Sequence, residues 1–316
     1  MRPSRGLHAG LAGLGLLVLL CVFGPVVLPA PPAADPARAA LLPPGAAVTE
    51  VILTDGRGLV SPDVTVGNEA IVVRGPFRDT ELSPAEVVSV RKGRFLLGSD
   101  RMGRDVASQL MAGGRFSLAI AGLAAIIALL VGSSVGIAAA TGGPVTDSAL
   151  MRLVDVLMAF PLLFLLILVA TLFRPGPVAL ALILGMTSWM GLARLVRGQV
   201  LALRGRTFIL AAQAAGASKT FVARRHLLPN LAGPLSQDTA LRLGDLVLAE
   251  AALSYLGIGV SPGMPTWGGM VAQGHRVMVE GWWLATFPGL AIAALVISLA
   301  LIGDGIQERL TRGARS

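Results

Sequence analysis

The sequence is poor in the residues that build catalytic and metal sites. It has one cysteine, Cys21, and three histidines, His8, His226 and His275, in 316 residues. A single cysteine excludes an internal disulfide and a cysteine-built metal site. The histidines fall in separate segments, so they predict no histidine-built metal site either. With no catalytic or metal-ligating residue to name, the chain is predicted not to be an enzyme and to bind no cofactor itself.

A nucleotide-binding loop is also missing. The P-loop pattern GxxxxGK[ST] does not occur, although residues 216–220 read GASKT. The pattern requires a glycine directly before the lysine, but Ser218 stands before Lys219 here. In addition, no strand-like run precedes the stretch to position a phosphate-binding loop. Any ATP hydrolysis linked to this chain is therefore predicted to take place on another chain.

Charged residues are scarce and apolar residues are abundant. Charged residues make up 14% of the chain and apolar residues 54%, and the mean hydropathy is +0.75. A soluble domain of this length could not bury so much apolar surface. The sequence predicts an all-α polytopic membrane protein with about six transmembrane helices. The predicted spans are Leu11 to Leu28, Ser117 to Thr141, Leu150 to Phe173, Val178 to Val200, Leu235 to Leu256 and Leu284 to Ile302.

The distribution of Lys and Arg predicts the orientation in the membrane. Basic residues precede the first span, separate the fourth from the fifth, and follow the sixth. Under the positive-inside rule these segments are cytoplasmic, so both termini are predicted to lie inside. This asymmetry and lipid headgroups account for the net charge of +8, and nucleic acid is not a predicted partner. We favour an uncleaved first span, because no small-x-small cleavage site follows it.

A basic, Ala-rich segment separates the fourth and fifth spans. Residues 204–234 read RGRTFILAAQAAGASKTFVARRHLLPNLAGP. The stretch Leu210 to Gly216 favours a helix, and Gly216 can adopt the left-handed conformation that ends one. Pro229 is predicted to end a second helix. A basic amphipathic helix lying on lipid would also explain the arginines, but not the spacing of the glycine and the Leu-Pro pair.

This spacing resembles the EAA loop of ABC importer permeases, the cytoplasmic helix pair that docks in a cleft of the ATPase subunit. Seven further segments, in the same order, are similar to the second permease subunit of the dipeptide, oligopeptide and nickel importers. They are LGSDRMGRDVASQLMAGGRFSL (97–118), MRLVDVLMAFP (151–161), ARLVRGQVLALRGR (193–206), EAALSYLGIGV (250–260), PTWGGM (265–270), FPGLAI (287–292) and LIGDG (301–305).

The resemblance implies a type I ABC importer (MetI-like) permease fold in the bacterial cytoplasmic (inner) membrane. It implies that the chain forms half of the translocation path for di- or oligopeptides. The implied partners are a homologous permease subunit in a heterodimer, two ABC ATPase subunits that use ATP and Mg, an external solute-binding protein and membrane lipid. Nickel or another small solute is the alternative within this type of importer. A self-contained channel or secondary carrier is a second class, but the sequence shows no inverted repeat of the kind common in carriers.

The resemblance also assigns ATPase docking to part of the basic segment. Leu210 stands where many relatives have the Glu of the loop, so we expect a more apolar contact. The predicted docking residues are Leu210, Ala211, Ala212, Gly216, Arg225, His226, Leu228 and Pro229.

Residues 46–95 are a departure from the family, many members of which have far fewer residues here. The runs VTEVIL, LVSPDVTV, AIVVRG and EVVSVRKG are predicted strands, with turns at residues 55–56, 67–68 and 92–93. They predict a small β-rich external insertion that either caps the mouth passively or contacts the binding protein. The predicted domains are 1–29 (tail and first transmembrane helix), 30–115 (external segment with the insertion) and 116–316 (permease core with docking loop 203–234).

Ser99, where relatives have Thr, is predicted to cap a helix beside Asp100.

Charged residues concentrate in the fifth span. On a helical wheel Asp238, Arg242, Asp245 and Glu250 share one face, and Arg242 with Asp245 has the spacing of an ion pair. Charges inside a membrane are costly unless they face a cavity or one another, so Arg242, Asp245 and Glu250 are predicted to line the translocation path. Alternatively, Asp238 and Arg242 lie at the cytoplasmic interface. Glu250 has two alternative roles, one in closing an outer gate and one in meeting substrate.

Small and aromatic residues predict packing between spans. Gly132 and Gly136 form a GxxxG pattern that allows close approach of another helix, either a neighbouring span or a partner permease. Asp155 and Pro161 predict a polar contact and a kink in the third span. Trp189 is predicted to face either the lipid or the pore.

Overall fold

The structure is a computed structural model that describes residues 5–27, 34–75, 79–173, 176–259 and 264–313. Its α-helices are α1 (Arg5–Val27), α2 (Val106–Thr141), α3 (Pro144–Met158), α4 (Leu162–Phe173), α5 (Pro177–Arg204), α6 (Thr207–Ala214), α7 (Lys219–Val222), α8 (Leu228–Tyr255), α9 (Trp267–His275) and α10 (Trp283–Gly313). Its strands are β1 (Ala46–Leu53), β2 (Gly58–Ser61), β3 (Val64–Val66), β4 (Ile71–Val73), β5 (Thr80–Leu82) and β6 (Val87–Phe95).

Four described helices are long and apolar enough to cross a membrane: α1, α2, α5 and α10. Helix α8 has 28 residues, but four of them are charged. The third predicted span is divided into α3, of 15 residues, and α4, of 12 residues. The helical membrane architecture is confirmed, and the count of six spans stays a prediction.

The break in the third predicted span lies at residues 159–161. Helix α3 ends at Met158 and α4 begins at Leu162, directly after Pro161. Proline has no backbone N–H and disfavours helical geometry in the residue before it, so a helix readily stops here. The predicted kink is therefore a complete interruption.

The chain divides into two compact units. Unit 1 consists of Met1–Leu16, Ser117–Ser261 and Ile292–Ser316, and unit 2 of Leu17–Phe116 and Pro262–Ala291.

In unit 1, glycines bring α2 and α5 close together. A Cβ atom at Gly132 would lie 2.8 Å from the carbonyl oxygen of Trp189, and one at Gly136 would lie 2.6 Å from that of Ala193. The GxxxG pattern therefore packs against a helix of the same chain. Trp189 is only 7% exposed in this packing, so neither predicted environment for it, lipid or pore, is right.

The insertion in unit 2 forms two small antiparallel sheets, with strand orders β2-β1-β6 and β3-β4-β5. The β-rich content predicted from the sequence is confirmed, but two details were wrong. The run 59–66 is divided at Pro62 into β2 and β3, which belong to different sheets, because proline cannot donate to a ladder. Lys92 and Gly93 lie inside β6, paired with Thr49 and Val48 of β1, instead of forming a turn.

Ser99 ties chain segments together and does not cap a helix. Its hydroxyl donates to the carbonyl of Ala39 at 2.5 Å and accepts from the N–H of Leu42 at 2.8 Å. The cap of α2 is Asp105, whose carboxylate accepts from the N–H of Ser108 at 2.7 Å. The predicted cap was therefore placed too early in the chain.

Arg115 of α2 stabilises the end of α1. Its Nε donates to the carbonyl of Cys21 at 2.6 Å. In a regular helix that carbonyl would accept from the residue four positions later, which is Pro25 and has no N–H. Cys21 itself is 4% exposed and packs as an apolar residue.

Candidate docking segment and transport cavity

A left-handed glycine separates two helices in the segment that follows α5. Beyond α6, Gly216 has a φ of +80°, and the N–H of Ala217 donates to the carbonyl of Ala212 at 3.0 Å. This hydrogen bond belongs to a Schellman cap, which requires a residue at positive φ. Ser218 then caps α7, since its hydroxyl accepts from the N–H of Phe221 at 3.2 Å. The predicted helix end at Gly216 is confirmed.

Pro229 does not end the second helix, which corrects the sequence-based expectation. Helix α7 passes through a π-helical turn at Ala223–Leu227 directly into α8, and Pro229 lies in the first turn of α8. The wider turn accommodates a residue that has no N–H. The side chain of Asn230 donates to the carbonyl of His226 at 2.7 Å. The chain is consequently helical without a break from Lys219 to Tyr255.

Several large apolar side chains of this segment are exposed, together with arginines. We give the name docking face to Phe208, Leu210, Phe221, Arg225 and Leu228, all of which are exposed. The ring of His226 lies 6.0 Å from the rings of both Phe208 and Phe221 and is half-buried between them. Of the other predicted docking residues, Ala211, Gly216 and Pro229 are exposed and Ala212 is half-buried.

The opposite face of the segment is anchored in the protein. Ile209, Val222, Leu227 and Leu231 are at most 5% exposed. They form one apolar cluster with the α5 residues Leu192, Val196 and Val200. The docking face is therefore presented on a packed support.

Arg242 of α8 is held by three hydrogen bonds. Its Nε and Nη2 donate to the carboxylate of Asp238 at 3.0 and 3.2 Å, and its Nη1 donates to the carbonyl of Ser188 in α5 at 2.7 Å. The predicted pair of Arg242 with Asp245 is wrong. Residues four apart on a helix are neighbours as well as residues three apart, and the arginine turns towards Asp238.

A cavity of about 390 Å³ lies beside Arg242, between α5, α8 and the break that separates α3 from α4. Arg242 and Asp245 are the charged residues of its lining. The remaining lining residues are Leu157, Met158, Phe160, Pro161, Thr187, Ser188, Met190, Gly191, Leu246 and Ala249. Two of the three predicted path residues thus meet at one cavity.

Glu250 is separate from that cavity. It is completely buried, and its carboxylate accepts from the hydroxyls of Ser117 at 2.8 Å and of Ser254 at 2.6 Å. Ser117 belongs to α2, so this contact joins α2 and α8. A buried carboxylate requires such donors, because its desolvation is costly.

Two ion pairs between α3 and α5 were not predicted. Arg197 donates to both oxygens of Asp147, at 2.5 and 2.6 Å, and Arg194 pairs with Asp155. The hydrogen bonds from Arg197 lower the pKa of Asp147. Of these four residues, only Asp155 was predicted from the sequence to make a polar contact. The polar pair Thr187–Ser188 inside an apolar run was the available signal for the α5 side of the cavity.

Within the described residues no group of three or more His, Cys, Asp or Glu side chains could hold a metal ion. In the segment 216–220, the structure has a glycine turn followed by a helix. The arrangement therefore offers a docking face on a packed support and a mostly apolar cavity with two charged residues in its wall.

Comparison with known proteins identifies clear relatives. The profile of the family described as "binding-protein-dependent transport system inner membrane component" matches residues 132–316. The oligopeptide transport system permease protein OppC of Haemophilus influenzae is 32% identical over 74% of this chain and 75% of its own length. The di/tripeptide permease DppC of Pseudomonas aeruginosa is 33% identical over 74% and 77%, and the dipeptide permease DppC of Bacillus subtilis is 36% identical over 76% and 77%.

A solved structure shares the fold. The MetNI methionine ABC transporter in an inward-facing conformation matches 65% of this chain and 95% of its own chain, with a TM-score of 0.51 and 21% identity. At this identity the match shows the fold alone.

Proposed function

This chain belongs to the family of binding-protein-dependent transport system inner membrane components, and from that premise we propose that it is a permease subunit of an ABC importer for peptides. The observation that carries the proposal is the similarity to OppC and DppC permeases over about three quarters of the chain. The chain would form half of the translocation path. Substrate would arrive from an external solute-binding protein.

The proposed assembly supplies what this chain lacks. Its partners would be a homologous permease subunit, paired as a heterodimer, and two ATPase subunits that use ATP and Mg. With six spans in the bacterial inner membrane and both termini in the cytoplasm, the segment after α5 faces the ATPase subunits. The insertion 46–95 would then be external, where it can cap the mouth or contact the binding protein.

The docking face supports an ATPase contact at this segment. Four large apolar side chains are between 40% and 52% exposed, which suits burial against a partner: Phe208, Leu210, Phe221 and Leu228. Gly216 sets the angle between α6 and α7, and Arg225 adds positive charge at the edge. Leu210, in place of an acidic residue, makes the proposed contact depend on apolar burial.

Arg242 and Asp245 are the proposed path residues, since both line the cavity. For Glu250 we propose the gate role, because its bond from Ser117 ties α8 to α2 away from that cavity. Breaking this tie would accompany a change in the spacing of α2 and α8.

The docking assignment can be tested by pull-down of the assembled complex. Phe221→Asp places a charge on the docking face, where Phe221 is 52% exposed, and should reduce ATPase retention at least about tenfold because apolar burial is lost. Val279→Asp is the matched control, since Val279 is 93% exposed and lies outside the segment. Equal ATPase retention by the two variants would refute the docking assignment.

A further inference from the structure

The cavity contains two charged side chains in different situations. Arg242 and Asp245 both line it, but they are not paired with each other. The question is which of them is available to a passing solute.

Arg242 is already engaged. Each of its three guanidinium nitrogens donates a hydrogen bond, two to Asp238 and one to the carbonyl of Ser188. The side chains of Arg242 and Asp238 are only 19% and 20% exposed. A solute carboxylate would compete with Asp238 for a guanidinium whose charge is already balanced, and at most two of its five N–H groups remain for the solute. Arg242 is therefore a poor binding group for an anion.

Asp245 is available. It is exposed, and it has no ion pair or hydrogen bond to another residue in the described part of the chain. With Arg242 and Asp238 neutralising each other, the carboxylate of Asp245 sets the net charge at the cavity wall.

The rest of the lining strengthens that charge. Most of the wall is apolar, including Leu157, Phe160 and Leu246. A charge beside low-dielectric walls acts more strongly on a solute than the same charge in open water. Met158 and Met190 add flexible side chains that can adapt to solutes of different shape.

We propose that this cavity selects for a cationic group, and that Asp245 binds the N-terminal ammonium of a peptide as it passes. The proposal rests on the function proposed above and adds a charge preference to it. A divalent metal such as Ni²⁺ shares the positive charge, but the described residues contain no group of three or more His, Cys, Asp or Glu side chains to hold it, and a single carboxylate suits a monovalent ammonium better.

The charge preference can be measured without transport. In the assembled importer, Cys21→Ala removes the native thiol and Thr187→Cys places a reporter in the lining. A cationic and an anionic methanethiosulfonate reagent are compared, with rates normalised to free cysteine. The cationic reagent should react about tenfold faster. Asp245→Asn should bring the ratio of the cationic rate to the anionic rate close to one. Glu308→Gln, outside the lining, should leave this ratio unchanged.

The variant Asp238→Asn sharpens the test. It frees Arg242, so it should lower the ratio by accelerating the anionic reagent, whereas Asp245→Asn should act by slowing the cationic one. A wild-type ratio below one, or a ratio that Asp245→Asn does not change, would overturn the charge preference.

Uptake by proteoliposomes with the cognate binding protein separates the sources of positive charge. The probes are Ala-Ala-Ala, its N-acetylated form and Ni²⁺. Asp245→Asn should lower uptake of the free tripeptide about fivefold or more and leave uptake of the acetylated form unchanged. A selective loss of Ni²⁺ uptake would overturn the ammonium assignment. If the wild type takes up neither tripeptide, the peptide function and the ammonium assignment both fail, while the labelling ratio still decides the charge preference.

Discussion

Helix α5 meets α2 and α8 in opposite ways. Against α2, glycines at residues 132 and 136 bring the backbones so close that a single added carbon would collide. Against α8, Leu231 packs in the apolar cluster of Leu192, but nearer the cavity of about 390 Å³ the contact is made by Arg242 on a backbone carbonyl. Close packing has few alternative arrangements, whereas a polar tie beside a cavity can be exchanged. From this difference we expect α2 and α5 to move together and rearrangement to take place on the α8 side.

The largest effect is expected from filling the close contact. Gly136→Val would place Cβ 2.6 Å from the carbonyl oxygen of Ala193, and the backbone cannot move away easily. We expect a loss of about 3 kcal/mol or more in stability, seen as a large decrease in melting temperature. Gly122→Val in the same helix is the matched control, since no atom lies within 4 Å of a Cβ there. Equal melting temperatures for the two variants would contradict the close contact.

An intermediate effect is expected from removing the polar tie between α5 and α8. Arg242→Leu leaves Asp238 and the carbonyl of Ser188 without their donors, at a cost of about 1–3 kcal/mol in stability. The double variant Arg242→Leu/Asp238→Leu should recover part of the loss, because it removes the stranded carboxylate. Thermal unfolding of the purified protein measures both. A double variant less stable than the sum of the single changes would argue against the tie.

The smallest effect is expected at the ion pair of Asp147 with Arg197, which joins α3 to α5. Arg197 lowers the pKa of Asp147, so the pair stabilises the folded protein above the unfolded pKa of about 3.9 and loses that contribution as the pH falls through the lower folded value. Asp147→Asn should cost less than about 1 kcal/mol at pH 7, since the pair is partly exposed. The difference in melting temperature between the variant and the wild type should disappear at acid pH. A difference that persists there would show that the pair is not its cause.

The sequence predicted features that depend on single residues. A glycine among good helix formers is a sufficient signal for the turn at Gly216, and alternation with turn residues is sufficient for most strands of the insertion. Features that depend on contacts between two segments were harder to predict. Arg242 can reach Asp238 or Asp245 equally well along the helix, and the choice depends on the carbonyl of Ser188, 54 residues away.

The prediction that Pro229 ends a helix was wrong for a related reason. Proline usually ends a helix, but the π-helical turn before it supplies the space that its ring requires, and no sequence pattern used in the prediction signals such a turn. The cavity could not be predicted from the sequence either. Its wall includes the break at Pro161, whose neighbours in space are set by the packing of α3 and α5.

The uninterrupted helix from Lys219 to Tyr255 connects the docking face with Arg242. At about 1.5 Å per residue, roughly 35 Å separates its start from Arg242. A tilt of only about 5° would move one of these points by about 3 Å relative to the other, which is the length of a hydrogen bond. A displacement of that size at Arg242 would break its hydrogen bond to the Ser188 carbonyl, with no need for any loop to refold.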